Sequence, residues 1–215
     1  MEYEDCYLQA QRPKYDCLLF DLDDTLYPLS SGLAAACGQN IKDYMVEQLG
    51  IEKSKITELG NLLYKNYGTT MAGLRAIGYD FDYDEYHSYV HGRLPYGNLK
   101  PDPVLRSLLL SLPIRKVTPI VCKPSEIAIE RALEIANLNP QRTLFFEDSV
   151  RNIQAGKRVG LDTVLVGTSQ RVKGADYALE SIHNLREAAP ELWESEIKTE
   201  VGYPGKVPRE TPVTA

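Results

Sequence analysis

No apolar run in this sequence approaches the roughly 20 residues needed to span a membrane, so no membrane partner is expected. Cysteine is scarce: Cys6, Cys17, Cys37 and Cys122 form no Cys-X-X-Cys pair. That pattern reads as reduced thiols in an intracellular protein, cytoplasmic with the nucleus as the alternative. The opening residues, Met1-Glu2-Tyr3-Glu4-Asp5, lack the basic-then-apolar order of a secretory leader. Positive charge is short as well. Against 30 Asp and Glu stand 24 Lys and Arg, a net charge of −6, with no basic patch, so no nucleic-acid polymer is expected as a partner. The three histidines show no ligand spacing with a carboxylate. His87 and His91 lie four apart and read as a solvated helix face, with a zinc site as the alternative.

The organising stretch is Leu18-Leu19-Phe20-Asp21-Leu22-Asp23-Asp24-Thr25-Leu26-Tyr27. A short apolar run bounded by polar residues is the pattern of a buried strand. Acids directly behind it place the strand end at a wet edge, where open α/β sheets bind ligands. Strand alternation predicts Asp21 and Asp23 on one side and Asp24 on the other. Two carboxylates on one side repel and invite a cation or a shared proton, and oxygen-only donors suit Mg²⁺.

Residues 30–98 carry helical periodicity without a strand. One helix presents Ile41, Tyr44, Met45 and Leu49 and stops at Gly50; others cover Thr57 to Lys65, Thr69 to Ile77, and a segment capped by Asp82 or Asp84. The tyrosines of Tyr79 to Tyr89 read as packing residues. An amphipathic helix carries Val104, Leu105, Leu108 and Leu109, and a strand begins at Ile114 to Val117. Pro124 is placed for the first turn of a helix with apolar positions Ile127, Ile129, Leu133 and Ile135. Thr143 to Phe146 is a second strand ending in acids, Glu147-Asp148, with a capped helix behind it and further strands at Leu161 to Val166 and Ala175 to Leu179. The expected division is a flexible arm at 1–14, an α/β core at 15–29 and 99–194, a helical insert at 30–98 and a disordered tail at 195–215.

Asp21-Leu22-Asp23-Asp24-Thr25 matches the Asp-X-Asp-X-Thr signature of the haloacid dehalogenase-like hydrolases, and its continuation into Leu26-Tyr27-Pro28 resembles the pyrimidine 5′-nucleotidase-like branch of plants and fungi. Lys123-Pro124 and Phe145-Phe146-Glu147-Asp148-Ser149-Val150-Arg151-Asn152 are similar to two further motifs of that family. The resemblance implies a Rossmann-like parallel sheet with a helical cap inserted after the first strand. It implies Asp21 as nucleophile, Asp23 as general acid/base, Thr25 and Asn152 as loop and site support, and Lys123 as the ammonium that steadies the phosphoryl group. It implies Mg²⁺ held by Asp21, the carbonyl of Asp23 and Asp148, with Glu147 as a further ligand. The expected reaction is hydrolysis of a small phosphorylated metabolite, such as a pyrimidine nucleoside 5′-monophosphate.

One family element is expected to be missing. A strand ending in Ser or Thr, with a helix and usually another strand after it, should precede Lys123. Only Thr118 to Cys122 separate Val117 from Lys123, too few for a parallel crossover, which needs about a dozen residues. The pattern is that of an internal deletion, with a narrower sheet and some exposed apolar surface to follow. Two alternatives therefore accompany the enzyme reading. One is a catalytically weak or dead form that serves as a binding module. The other is a receiver-like domain, against which stand the helical insert and the early position of Asp21.

Overall fold

The computed structural model describes residues 14–118 and 123–193. The expectations for the arm before Lys14, the 195–215 tail, Cys6 and Cys122 lie outside the described residues.

Five short segments form strands: β1 Cys17–Phe20, β2 Arg115–Val117, β3 Thr143–Glu147, β4 Asp162–Val166 and β5 Tyr177–Leu179. They make one sheet in the order β2-β1-β3-β4-β5, every pair parallel. The two acid-tipped strands are thus neighbours, in register from Cys17↔Thr143 to Phe20↔Phe146. β1 and β3 are buried throughout because both sheet faces are covered. Leu18, Phe20, Leu144 and Phe146 join Leu105, Leu112 and Trp193 in one layer. Leu19 and Phe145 join Ile129, Leu133 and Ala155 in the other. Burying each large apolar side chain is worth about 1.5–3 kcal/mol, so a one-residue slip of either strand is strongly disfavoured. Phe20 and Phe146 stack with centroids 4.5 Å apart, one residue before Asp21 and Glu147. This is the α/β architecture expected from the sequence.

Four helices fill the segment after β1: α1 Leu33–Glu47, α2 Ile56–Tyr67, α3 Thr70–Ala76 and α4 Tyr83–Val90. They build their own apolar clusters around Met45, Leu63 and Leu74 and around Tyr44, Tyr86 and Val90. Tyr44 makes edge contacts to Phe81, Tyr86 and Tyr89, which accounts for the tyrosine-rich stretch by packing. The cap of α4 is Asp82, whose carboxylate accepts from Glu85 N at 2.9 Å; Asp84 lies in the first turn.

α5 Pro103–Ser111 covers one sheet face and is capped by Asp102, which accepts from Leu105 N at 2.8 Å. α6 Glu126–Ile135 covers the other face together with α7 Val150–Arg158. Ser125 caps α6, so Pro124 stands before the cap and not in the first turn as expected. Ile127 and Ile135 are 77% and 81% exposed, contrary to the apolar pattern assigned to them. Only Ile129 and Leu133, four apart, share the sheet-facing side, because Ile127 is turned about 200° from Ile129 by the helix pitch. α7 lies close on β3 through Gly156, where a Cβ would sit 2.8 Å from the Phe145 ring. A last short helix, α8 Leu185–Ala188, buries Leu185 in the α5-side layer. No helix among the described residues is long and apolar enough to cross a membrane.

Candidate active site

β1 ends at Phe20, and Asp21 N extends the ladder by one bond to Phe146 O at 2.9 Å. The chain then leaves the sheet in a turn, closed by Leu26 N to Leu22 O at 2.9 Å. The alternation expected to place Asp21 and Asp23 together therefore stops before it reaches Asp23. Asp24 has φ +57°, in the left-handed region that Gly, Asn and Asp tolerate best. Its Oδ1 is buried with no hydrogen-bond partner among the described residues. Thr25 is 3% exposed, and its hydroxyl donates to Asp21 Oδ2 at 3.3 Å. Asp23 is exposed, and its Oδ1 accepts from the Tyr27 hydroxyl at 2.5 Å.

From the far side of β1, the Lys123 ammonium donates to Asp21 Oδ1 and, at 2.6 Å, to Glu147 Oε2. Glu147 is 1% exposed and accepts a second bond from Ser149 N at 3.1 Å. Carboxylate oxygens of Asp21, Glu147 and Asp148 all lie within 4.8 Å of one another. The trio has one ammonium, Lys123, which pairs with Asp21 and Glu147, so two of the three carboxylate charges are left over, the charge of one divalent cation. Burial pushes the Asp21, Glu147 and Asp148 carboxyls above their usual range. The Glu147 charge adds to the rise at Asp21, and Lys123 only partly offsets it. Burial works against the Lys123 charge, yet Glu147 and Asp21 outweigh it and raise its pKa. A hard oxygen donor set with this surplus fits Mg²⁺.

Of the residues singled out in the sequence, Asp21, Thr25, Lys123, Glu147 and Asp148 thus converge. The Asp23 carboxylate stands apart from the acidic trio, and among the described residues Asn152 makes no hydrogen bond to it. Sequence reasoning treated Glu147 as a ligand and missed its pairing with Lys123. It also missed Tyr27 as the partner of Asp23, although their four-residue spacing across a turn is a usable signal.

Two cavities flank the trio. One of about 500 Å³ is lined by Asp24, Tyr27, Asp148, Glu180 and His183. The other, about 330 Å³, lies where the ends of α2 and α7 meet Lys123. β2 pairs with β1 only as far as Leu19↔Val117, one residue short of the β1–β3 pairing. Thr118 is exposed, and among the described residues its hydroxyl bonds to nothing in the site.

Residues 114–166 match the family described as haloacid dehalogenase-like hydrolase. Phosphate metabolism protein 8 of Saccharomyces cerevisiae is 29% identical over 106 residues, which are 49% of this chain and 33% of that protein. The chain thus spans about a third of the length of that relative. CbbY of Rhodobacter sphaeroides, solved in complex with phosphate, has a TM-score of 0.54 at 17% identity, over 80% of this chain and 96% of that one. A structure described as a predicted phosphatase from Clostridium acetobutylicum has a TM-score of 0.53 at 18% identity, over 80% and 97%. Those structural likenesses concern the fold. The family match covers residues 114–166, and the chain shares with those structures a fold in which two acid-tipped strands stand side by side.

Proposed function

We propose that this chain hydrolyses small phosphomonoesters through a phosphorylated Asp21, in an intracellular, reducing compartment. The observation that carries the reading is the trio of strand-end carboxylates with one ammonium among them. An Asp21 oxygen forms a bond to phosphorus while the bond to the leaving alcohol oxygen breaks, and Asp23 gives that oxygen its proton. Asp23 then takes a proton from water as the water oxygen attacks phosphorus, which releases phosphate and restores the Asp21 carboxylate. Thr25 holds the orientation of Asp21, and the Lys123 ammonium offsets phosphoryl charge as a point cation. Asp21, the Asp23 carbonyl and Asp148, with Glu147 beside them, would hold Mg²⁺, which when bound neutralises charge on the phosphoryl oxygens. The helical block at 30–98 would serve as a cap that excludes water and chooses the substrate. A nucleoside 5′-monophosphate is the substrate suggested by the Leu26-Tyr27-Pro28 continuation of the first motif.

The test is phosphate release from an aryl phosphate by the parent chain, by the parent with chelator, and by Asp21→Asn. Turnover is expected in the first alone; undiminished turnover in either of the others would overturn the covalent, metal-assisted route. The exposed Thr118 and the early end of β2 favour a second reading, a weakened enzyme from which the hydroxyl-bearing strand has been deleted.

A further inference from the structure

The cavity of about 330 Å³ has an electrostatic character opposite to the rest of the site. Lys65, Tyr67 and Gly68 from the end of α2, together with Lys123, Ser125 and Arg151, line it, and no carboxylate does so among the described residues. In a chain of net charge −6, three cations around one cleft are a local reversal. Lys123 is engaged with Asp21 and Glu147. Lys65, exposed in the last turn of α2, has no ion-pair partner among the described residues. Arg151 has none either. Its guanidinium lies 4.8 Å from the Tyr64 ring centroid, and Nη1 donates to Tyr64 O at 3.4 Å. That stack holds the planar fork in place while most of its five N–H donors stay free for an anion. The larger cavity on the other flank is lined by Asp24, Asp148 and Glu180 and would repel an anion.

Lys123 both lines the cleft and bonds Asp21, so the cleft adjoins the position of a phosphoryl group on Asp21. We propose that the preferred substrate carries a second anionic group on its leaving side, a carboxylate or a phosphoryl group, bound between Lys65 of the helical block and Arg151 of the core. The inference rests on the phosphohydrolase reading and narrows it: a neutral nucleoside leaves both cations unanswered. Bridging the helical block to the core, such an anion would also draw the two together around the reacting phosphorus.

The test compares three alkyl phosphates whose leaving alcohols have similar acidity: butyl phosphate, 3-carboxypropyl phosphate and 3-phosphonopropyl phosphate. The readout is the ratio of kcat/KM for each anionic-tailed ester to that for butyl phosphate. In the parent this ratio is expected to exceed one for at least one tail, and which tail tells carboxylate from phosphoryl recognition. Arg151→Met should lower the ratio roughly 10- to 100-fold, as loss of a charge-assisted bond does. Lys65→Met, on an exposed helix end, should lower it in the same direction without risk to folding. Arg151→Lys should recover part of it, because it keeps the charge without the fork. A ratio at or below one in the parent, or a ratio that both methionine variants leave unchanged, overturns the inference. If the parent hydrolyses none of the three esters, calorimetric titration decides the anion site by itself, and the phosphohydrolase reading falls only if the aryl phosphate is left intact as well. Tighter binding of 3-phosphonopropyl phosphate than of butyl phosphate, lost in Arg151→Met, upholds the site; equal binding removes it.

Discussion

Lys123 Nζ lies 2.6 Å from Glu147 Oε2, and Glu147 is 1% exposed, so the charge of the most buried acid in the site is answered from within the protein. Loss of one partner leaves the other charged and desolvated. Lys123→Met is therefore expected to cost about 3 kcal/mol of stability as well as turnover. Adding Glu147→Gln should return most of that stability and none of the turnover. Urea unfolding of the two single variants and the double variant measures the coupling. Additive losses would mean the pair contributes only its separate packing.

The raised carboxyl pKa values of Asp21, Glu147 and Asp148 have a defined consequence for stability. The folded chain holds these protons more tightly than the unfolded chain, whose carboxyls titrate near pH 4. Stability of the metal-free protein should thus fall as pH rises from about 4 through the raised values. Lys123, whose folded value is also raised, contributes constant stability over this window, since its contribution is lost only at alkaline pH. The expected result is a Tm in chelator that declines as pH rises above the unfolded carboxyl range, from about 4 upward. Mg²⁺ should raise Tm more at pH 8 than at pH 5, and Asp148→Asn should flatten the decline. A Tm that climbs over the same interval in chelator would contradict the account.

Asp23 is exposed and bonded to Tyr27, and the proposed mechanism assigns it the proton given to the leaving oxygen. Asp23→Ala is expected to slow hydrolysis of alkyl phosphates by roughly 10²- to 10⁴-fold, the usual range for general acid–base help. Nitrophenyl phosphate, whose leaving group needs little protonation, should suffer much less. Equal losses on the two substrates would remove Asp23 from the acid role.

β2 stops at Val117, and Thr118 is exposed, with no hydrogen bond to the site among the described residues. Inserting a complete strand ending in Thr, with its crossover helix, between Val117 and Thr118 should raise turnover about 10²- to 10³-fold, by analogy with restoring a donor to an oxyanion hole. The same insertion should raise Tm by covering the exposed face of α6 at Ile127 and Ile135. If Thr118→Ala alone lowers the turnover of the parent by that factor, Thr118 already fills the role, and the chain is not weakened.

The two central strands were legible because their evidence is local: short apolar runs ending in acids mark β1 and β3. The helical block was legible for the same reason, from the spacing of residues such as Tyr44 and Met45 and the caps at Thr69 and Asp82. What escaped reading depends on where a backbone turns. Asp23 and Asp24 leave the strand periodicity because the chain leaves the strand one residue after Phe20, and a positive φ at Asp24 has no periodic signature. The exposure of Ile127 and Ile135 depends on which elements lie beside α6, and the sequence of α6 alone does not specify its neighbours. The Lys123–Glu147 pair joins residues 24 apart across two elements, beyond the reach of any local pattern.

Gly156 touches none of the acids, yet it sets how closely α7 lies on β3 and so where the chain turns from Asp148 into that helix. A methyl group there must displace the Phe145 ring or lift the helix. A screen of random variants for lost turnover should therefore recover Gly156 alongside Asp21 and Lys123. The genetic map of the site would then include a position that contributes nothing to it but the absence of a side chain.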